Sequence, residues 1–280
     1  LTDREHPLTA RVIANRVWHW HFGKGLVGTP DDFGIRGSQP THPELLDWLA
    51  SELIRSGWSL KYLHRLILRS STYMMSTSAN PIAVEIDPEN SWLWRMNRHR
   101  MEAEVIHDSL LQLSGRLDLK MGGLAAQVKT QDPTSEDLEK NKEIYRKITR
   151  RALYVPVHRT QVYDLFDAFD FPDPGTTTGR RNATTVATQA LFFLNNDWLM
   201  QQADALAKRS SGSPKARVDF LYETTLGRVP TSAERASALN FIGRFGRSLP
   251  DSLAMVERDQ KSWAAYCQVL LQSNHFLYLN

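Results

Sequence analysis

THPELLDWLASELIRSGWSLKYLHRLIL, residues 41–68, decides the fold. Thr41-His42-Pro43-Glu44 has the pattern of a capping box with proline in the first helical turn, so the spacing predicts a helix from about His42 to Ser56, stopped at Gly57. Leu45, Leu46, Leu49, Leu53 and Ile54 form its apolar stripe. Ser59 then caps a second helix through Leu68, with Leu60, Leu63, Leu66 and Ile67 on one side, and the short connection predicts an antiparallel pair. The fold class that follows is mainly α, a multi-helix globular architecture.

On the N-terminal side, PLTARVIANRVWHWHF (residues 7–22) carries Leu8, Val12, Ile13, Val17 and Trp20 close to helical spacing, and Gly23 supplies a stop. GKGLVG (residues 23–28) matches the glycine spacing of a dinucleotide fingerprint, but it follows a helix instead of a strand and runs into Thr29-Pro30, so a cofactor reading fails on context. Asp32-Phe33-Gly34 lacks every other kinase element. His19, His21 and His42 are weak candidates for a metal, since imidazole is a common ligand. Helix positions two apart point roughly 200° from each other, so His19 and His21 are expected to neighbour packed tryptophans, with no metal bound.

On the C-terminal side, residues 80–90 with Pro81 and Pro88 read as a loop. RHRMEAEVIHDSLLQLSG (residues 98–115) reads as a helix ending at Gly115, whose Arg98, Arg100, Glu102, Glu104 and Asp108 are expected to pair within the helix. Residues 122–139 look the least ordered, and Lys140 to Arg151 is rich in basic residues around Ile144, Tyr145 and Ile148. RALYVPV (residues 151–157) is the one segment with strand character, edge-like because of Pro156. This implies three parts: an N-terminal helical subdomain (residues 1–120), a charged linker or arm with a short extended segment or hairpin near 151–157 (residues 121–159), and a C-terminal helical subdomain (residues 160–280). Helices are expected from Thr185 or Thr188, from Asn196 or Asp197, over 216–226 before Gly227, from the capping box Thr231-Ser232-Ala233-Glu234, and over 255–271.

The segment with the most chemistry is DLFDAFDFPDPGTTTGRRNATTVATQALFFLNND (residues 164–197). Asp164, Asp167, Asp170 and Asp173 recur at three-residue intervals and lead into a glycine and threonine loop with paired arginines. Opposite charges beside apolar surface must pair with each other or bind something. Arg180, Arg181, Asn182, Thr177 and Thr178 are the candidate ligand-binding residues, suited to sulfate, phosphate or carboxylate. Asp167, Asp170 and Asp173 are the weaker catalytic candidates, as general acid and base of a hydrolase. An internal ion-pair network is the competing reading, and the residues do not decide between binding and catalysis.

Composition bounds the rest. The chain has 280 residues, 41% of them hydrophobic, with 34 Lys and Arg against 31 Asp and Glu and a net charge of +3. That balance does not point to nucleic acid. A membrane-spanning helix needs about 20 apolar residues in a row, and no run approaches this. Cys267 is the single cysteine, so no intrachain disulfide forms. The chain begins at Leu1 with neither a basic nor an apolar leader, as expected of a processed product or an excised piece.

Taken in order, NRVWHWHFGKGLVGTPDDFG, the 40–68 stretch, RMEAEVIHDSLLQLSGRLD, FDFPDP through TTVATQALFFLNN, LYETTLGRVPTSAERA and CQVLLQSNHFLYLN resemble the planctomycete-type domain of unknown function. That domain stands at the C-terminal end of large proteins that often begin with a cytochrome-c-like module. The resemblance implies export and an extracytoplasmic location (periplasm or cell surface). It also implies that companion domains of the same polypeptide are partners, and that any haem c belongs to an upstream module, because this chain has no Cys-x-x-Cys-His. No cofactor is expected in this chain. Three functions follow as expectations: a ligand-binding or assembly module, with anionic polysaccharide as a candidate partner; a hydrolase using Asp167, Asp170 and Asp173; or a structural partner of a haem electron-transfer domain, with Trp18, Trp20, Trp92 and Trp94 between haem and acceptor.

Overall fold

A computed structural model describes residues 3, 5–129, 133–159 and 161–279; residues 130–132 of the expected charged arm lie outside these. The described residues are mainly α-helical, and their only sheet is a two-stranded antiparallel one of β1 (His99–Arg100) and β2 (Tyr278–Leu279). No described helix is long and apolar enough to cross a membrane. The chain divides into two compact units, residues up to 99 and residues 100–279.

The first unit contains α1 (Thr9–Phe22), α2 (Pro43–Arg55), α3 (Leu60–Leu68) and the short α4 (Pro81–Ile86). Its core joins Val17, Trp18 and Phe22 of α1 to Leu46, Leu49 and Leu53 of α2 and Leu63 and Ile67 of α3. The α2–α3 turn needs a left-handed residue, and Gly57 supplies it at φ 69° without a Cβ penalty. Ser59 Oγ then accepts from the Tyr62 N–H at 3.3 Å and caps α3, a bond of the kind that contributes about 1 kcal/mol. The expected capping box at Thr41 does not form. His42 is the N-cap, and Thr41 instead donates its N–H to the Leu26 carbonyl at 2.9 Å, tying the loop back. Residues 80–90 are not wholly loop: Asn80 Oδ1 accepts from Ile82 and Ala83, and Pro81 starts α4.

The second unit contains α5 (Ala103–Ser114), α6 (Ser135–Lys147), α7 (Asp164–Ala168), α8 (Ala187–Asn195), α9 (Asp197–Arg209), α10 (Pro214–Leu226), α11 (Ser232–Ser248), α12 (Met255–Leu271) and α13 (Asn274–Leu277). Leu199, Ala203 and Leu206 of α9 pack between Leu110 and Leu111 of α5 and Trp263, Cys267 and Leu270 of α12. α5, placed by its sequence position with the N-terminal helices, belongs to this core. The expected capping box at Thr231 forms, with Glu234 reaching back to the Thr231 N–H at 2.8 Å, and the structure adds one at Thr134 that was not expected from the sequence.

Two expected elements change. The helix through RHRMEAEVIHDSLLQLSG starts only at Ala103, because the Met101 N–H donates to the Leu277 carbonyl at 2.8 Å in extended backbone. Arg100 and Glu102 therefore leave the helix surface. RALYVPV is not a strand: Ala152–Tyr154 is a single 3₁₀ turn, and the Ala152 N–H, which a ladder would use, donates to Asp108 Oδ1 at 2.6 Å.

Candidate functional site

The aspartate repeat does not ride on one helix. Helix α7 lasts only from Asp164 to Ala168, with Leu165 and Phe166 buried on one side and Asp164 and Asp167 on the other. The chain then turns sharply, and Asp170 adopts a left-handed φ of 58°, a conformation that aspartate tolerates better than most residues. Its carboxylate accepts from Arg100 Nη2 at 2.6 Å, from the Thr184 N–H at 2.9 Å and from the Thr184 hydroxyl at 2.8 Å. Arg100 also donates to the Thr184 carbonyl, and its guanidinium lies 5.5 Å from the centre of the Phe169 ring. The Arg100 and Asp170 side chains are only 5% and 17% exposed. Burial raises the Asp170 carboxyl, but the bonds from Arg100 and Thr184 outweigh it and hold the group below its usual range. Asp170 is thus an ionised anchor that fastens residues 169–170 to Thr184.

Arg181 is committed in the same way. Its Nη1 and Nη2 donate to the two Glu104 oxygens at 2.6 and 2.8 Å, and Nη1 lies 3.4 Å from Glu102. The bond to Glu104 raises its pKa, and its guanidinium also faces the Phe171 ring at 5.4 Å. Such a fork-to-fork pair is among the stronger polar contacts a protein makes. Arg180, Asn182, Thr177 and Thr178 are exposed. Asp173 Oδ1 accepts from the Gly175 N–H at 2.8 Å and closes a tight turn. Asp167, Asp170 and Asp173 therefore have separate surroundings: a helix side, an ion pair and a turn.

What these elements do assemble is a cleft of about 630 Å³ between α7 and the start of α8. Asp164, Asp167 and Asp170 line one wall; Thr184, Thr188, Leu191 and Phe192 line the other. Asp170 is already bonded, and Asp164 lies 3.8 Å from Arg146. Asp167 is exposed and enters no ion pair among the described residues. Carboxylates thus face a wall that mixes threonine hydroxyls with apolar side chains.

The histidines group differently from their sequence pattern. His21 Nε2 lies 2.7 Å from His64 Nδ1, with the Tyr73 ring edge-on to His21 at 5.5 Å. Burial lowers the His21 pKa first, and the nearby His64 and His99 lower it further; burial also lowers that of His99. His42 instead meets the Trp92 ring at 5.4 Å, and His19 sits in the last turn of α1. The structure therefore does not bring His19, His21 and His42 together, and no group of His, Cys, Asp and Glu among the described residues is arranged to hold a metal. No spacing in the chain links positions 21, 64 and 99. Trp18 is buried and stacked on Phe22 at 4.2 Å, whereas Trp20 and Trp92 are exposed. At GKGLVG, the Asn15 side chain binds both the N–H and the carbonyl of Val27, and a Cβ on Gly25 would lie 2.5 Å from that carbonyl oxygen. These glycines serve a closed turn.

The model of the PSD1 family, described as a protein of unknown function (DUF1553), matches residues 1–242. No curated protein and no solved structure matches the chain.

Proposed function

The chain belongs to PSD1, the planctomycete cytochrome c domain-associated family of unknown function, and from that premise we propose that it is a ligand-binding module whose α7–α8 cleft takes a saccharide. The observation that carries this reading is the composition of the cleft: the Asp167 carboxylate stands across from a wall that combines the Thr188 hydroxyl with the apolar Leu191 and Phe192. Sugars need this combination, because their hydroxyls donate to carboxylates while their C–H faces lie against apolar side chains. Arg180, Asn182, Thr177 and Thr178, exposed on the loop that leads into Thr184, are the donors for anionic substituents on such a ligand. Arg181 acts here by holding the loop to Glu104.

A hydrolase has less support. General acid and base catalysis needs two carboxyls with pKa values pushed apart around one bond, whereas Asp170 is fixed in its charged form and Asp173 closes a turn. An extracytoplasmic location, companion domains and an upstream haem module remain inferences from family membership.

The test is calorimetric titration of the whole chain with neutral and sulfated oligosaccharides. Asp167→Ala is expected to weaken saturable binding roughly tenfold with the thermal melt unchanged, the size of one lost hydrogen bond to a charged group. Arg180→Ala is expected to weaken only the sulfated series. Absence of saturable binding, or an Asp167→Ala variant that binds as the parent does, would sink the proposal.

A further inference from the structure

The first unit has a second concave feature of opposite charge. At the corner between α2 and α3 lies a recess of about 560 Å³ lined by Arg55, Ser56, Ser59, Lys61, Tyr62 and Arg65. We propose that this recess binds a tetrahedral oxyanion, carried as a free ion or as a sulfate or phosphate ester.

The argument starts from Glu52, which is buried on the inner side of α2. Its carboxylate accepts from Arg55 Nη2 at 2.5 Å and from the Tyr62 hydroxyl at 2.8 Å, and the Tyr62 bond is the first cause of its lowered pKa. Glu52 thereby anchors two residues that line the recess. A guanidinium held in this way still has further N–H donors, and fixing it beforehand lowers the ordering cost of binding.

Lys61 and Arg65 add further positive charge. They lie one turn apart on α3, both exposed, and neither has an ion-pair partner among the described residues. Like charges at this spacing disfavour a helix by a few tenths of a kcal/mol, so the pair is a local electrostatic cost with no internal compensation. Both line the same concavity, where low-dielectric walls concentrate the field. The recess also adjoins the first turn of α3, where the N–H groups of Leu60 and Lys61 have no acceptor within the helix. Three cations converge on a pocket of limited volume, which suits a compact dianion; a nucleic-acid backbone would call for an extended basic stripe.

The test is titration of the whole chain at low ionic strength with inorganic sulfate, inorganic phosphate and galactose 6-sulfate, followed by calorimetry. The expected result is saturable binding that the double variant Lys61→Gln/Arg65→Gln weakens by roughly a hundredfold, about tenfold for each cation removed. The double variant Lys215→Gln/Arg247→Gln, which removes equal charge from exposed positions elsewhere, should bind as the parent does. Tighter binding of galactose 6-sulfate than of sulfate would assign an ester group, and equal binding a free ion; either supports the site. Equal losses in the two double variants would mean diffuse attraction to net charge and overturn the proposal, as would the absence of saturation by all three probes. Circular dichroism of the variants, whose replaced side chains are exposed, confirms that the fold is retained.

Discussion

The 170–184 loop of the second unit and the α2–α3 corner of the first both set arginines beside carboxylates, and they end in opposite electrostatic states. Around the loop the two less exposed arginines are paired: Arg100 is bound by Asp170, and Arg181 by Glu104 with Glu102 near. At the corner the one carboxylate, Glu52, bonds Arg55, while Lys61 and Arg65 line the same recess with no ion-pair partner among the described residues. The denser sequence motif thus pairs its less exposed arginines internally, and the plainer helical hairpin leaves Lys61 and Arg65 without an ion-pair partner among the described residues. A cluster of opposite charges in sequence reports a possible network; an excess of one sign in a concave place is what points outward.

Breaking the loop's network should cost the most. Arg100→Ala strands Asp170 in a part-buried place and is expected to lower unfolding free energy by about 3 kcal/mol, read by urea denaturation. A loss under about 1 kcal/mol would show that Thr184 alone suffices to hold Asp170. Arg181→Ala removes a bidentate pair that is more open to solvent, its arginine 32% exposed, and should cost about 1–2 kcal/mol. If it cost nothing while abolishing binding of sulfated oligosaccharide, Arg181 would be a ligand group instead of a strut.

The smallest effect concerns pH. His21 has a lowered pKa in the folded chain, so between that value and the ordinary histidine value near 6.5 the unfolded chain binds more protons. The stability contributed by the neutral histidine is present above about pH 6.5 and declines as pH falls through that value toward the folded pKa. Thermal melts taken from about pH 8 down to pH 5 should fall more steeply for the parent than for His21→Gln. Parallel curves would remove His21 from the account.

Much of the helical content was legible because caps and stripes are local. Ser59, Gly115, Asn196, Gly227 and Thr231 act where the chain places them, each bonding within a few residues. Thr41 failed for the converse reason: its N–H found the Leu26 carbonyl, fifteen positions away. Of the candidate site, the segment was legible and the roles were not. Arg100 and Glu104 stand at helical spacing and looked like mutual partners, yet each bonds a residue about seventy or more positions on.

By itself the sequence determined that this chain is mainly helical, where most of its helices begin and stop, and that residues 164–197 concentrate polar chemistry. Those properties depend on periods of three to four residues and on side chains that reach their own backbone. Only the tertiary structure decided that Asp170 is an anchor, that Asp167 lines a cleft, that His21 meets His64, and that Lys61 and Arg65 line a basic recess. A charge acquires its partner, its burial and hence its pKa from groups brought near by folding, and that proximity has no fixed spacing along the chain.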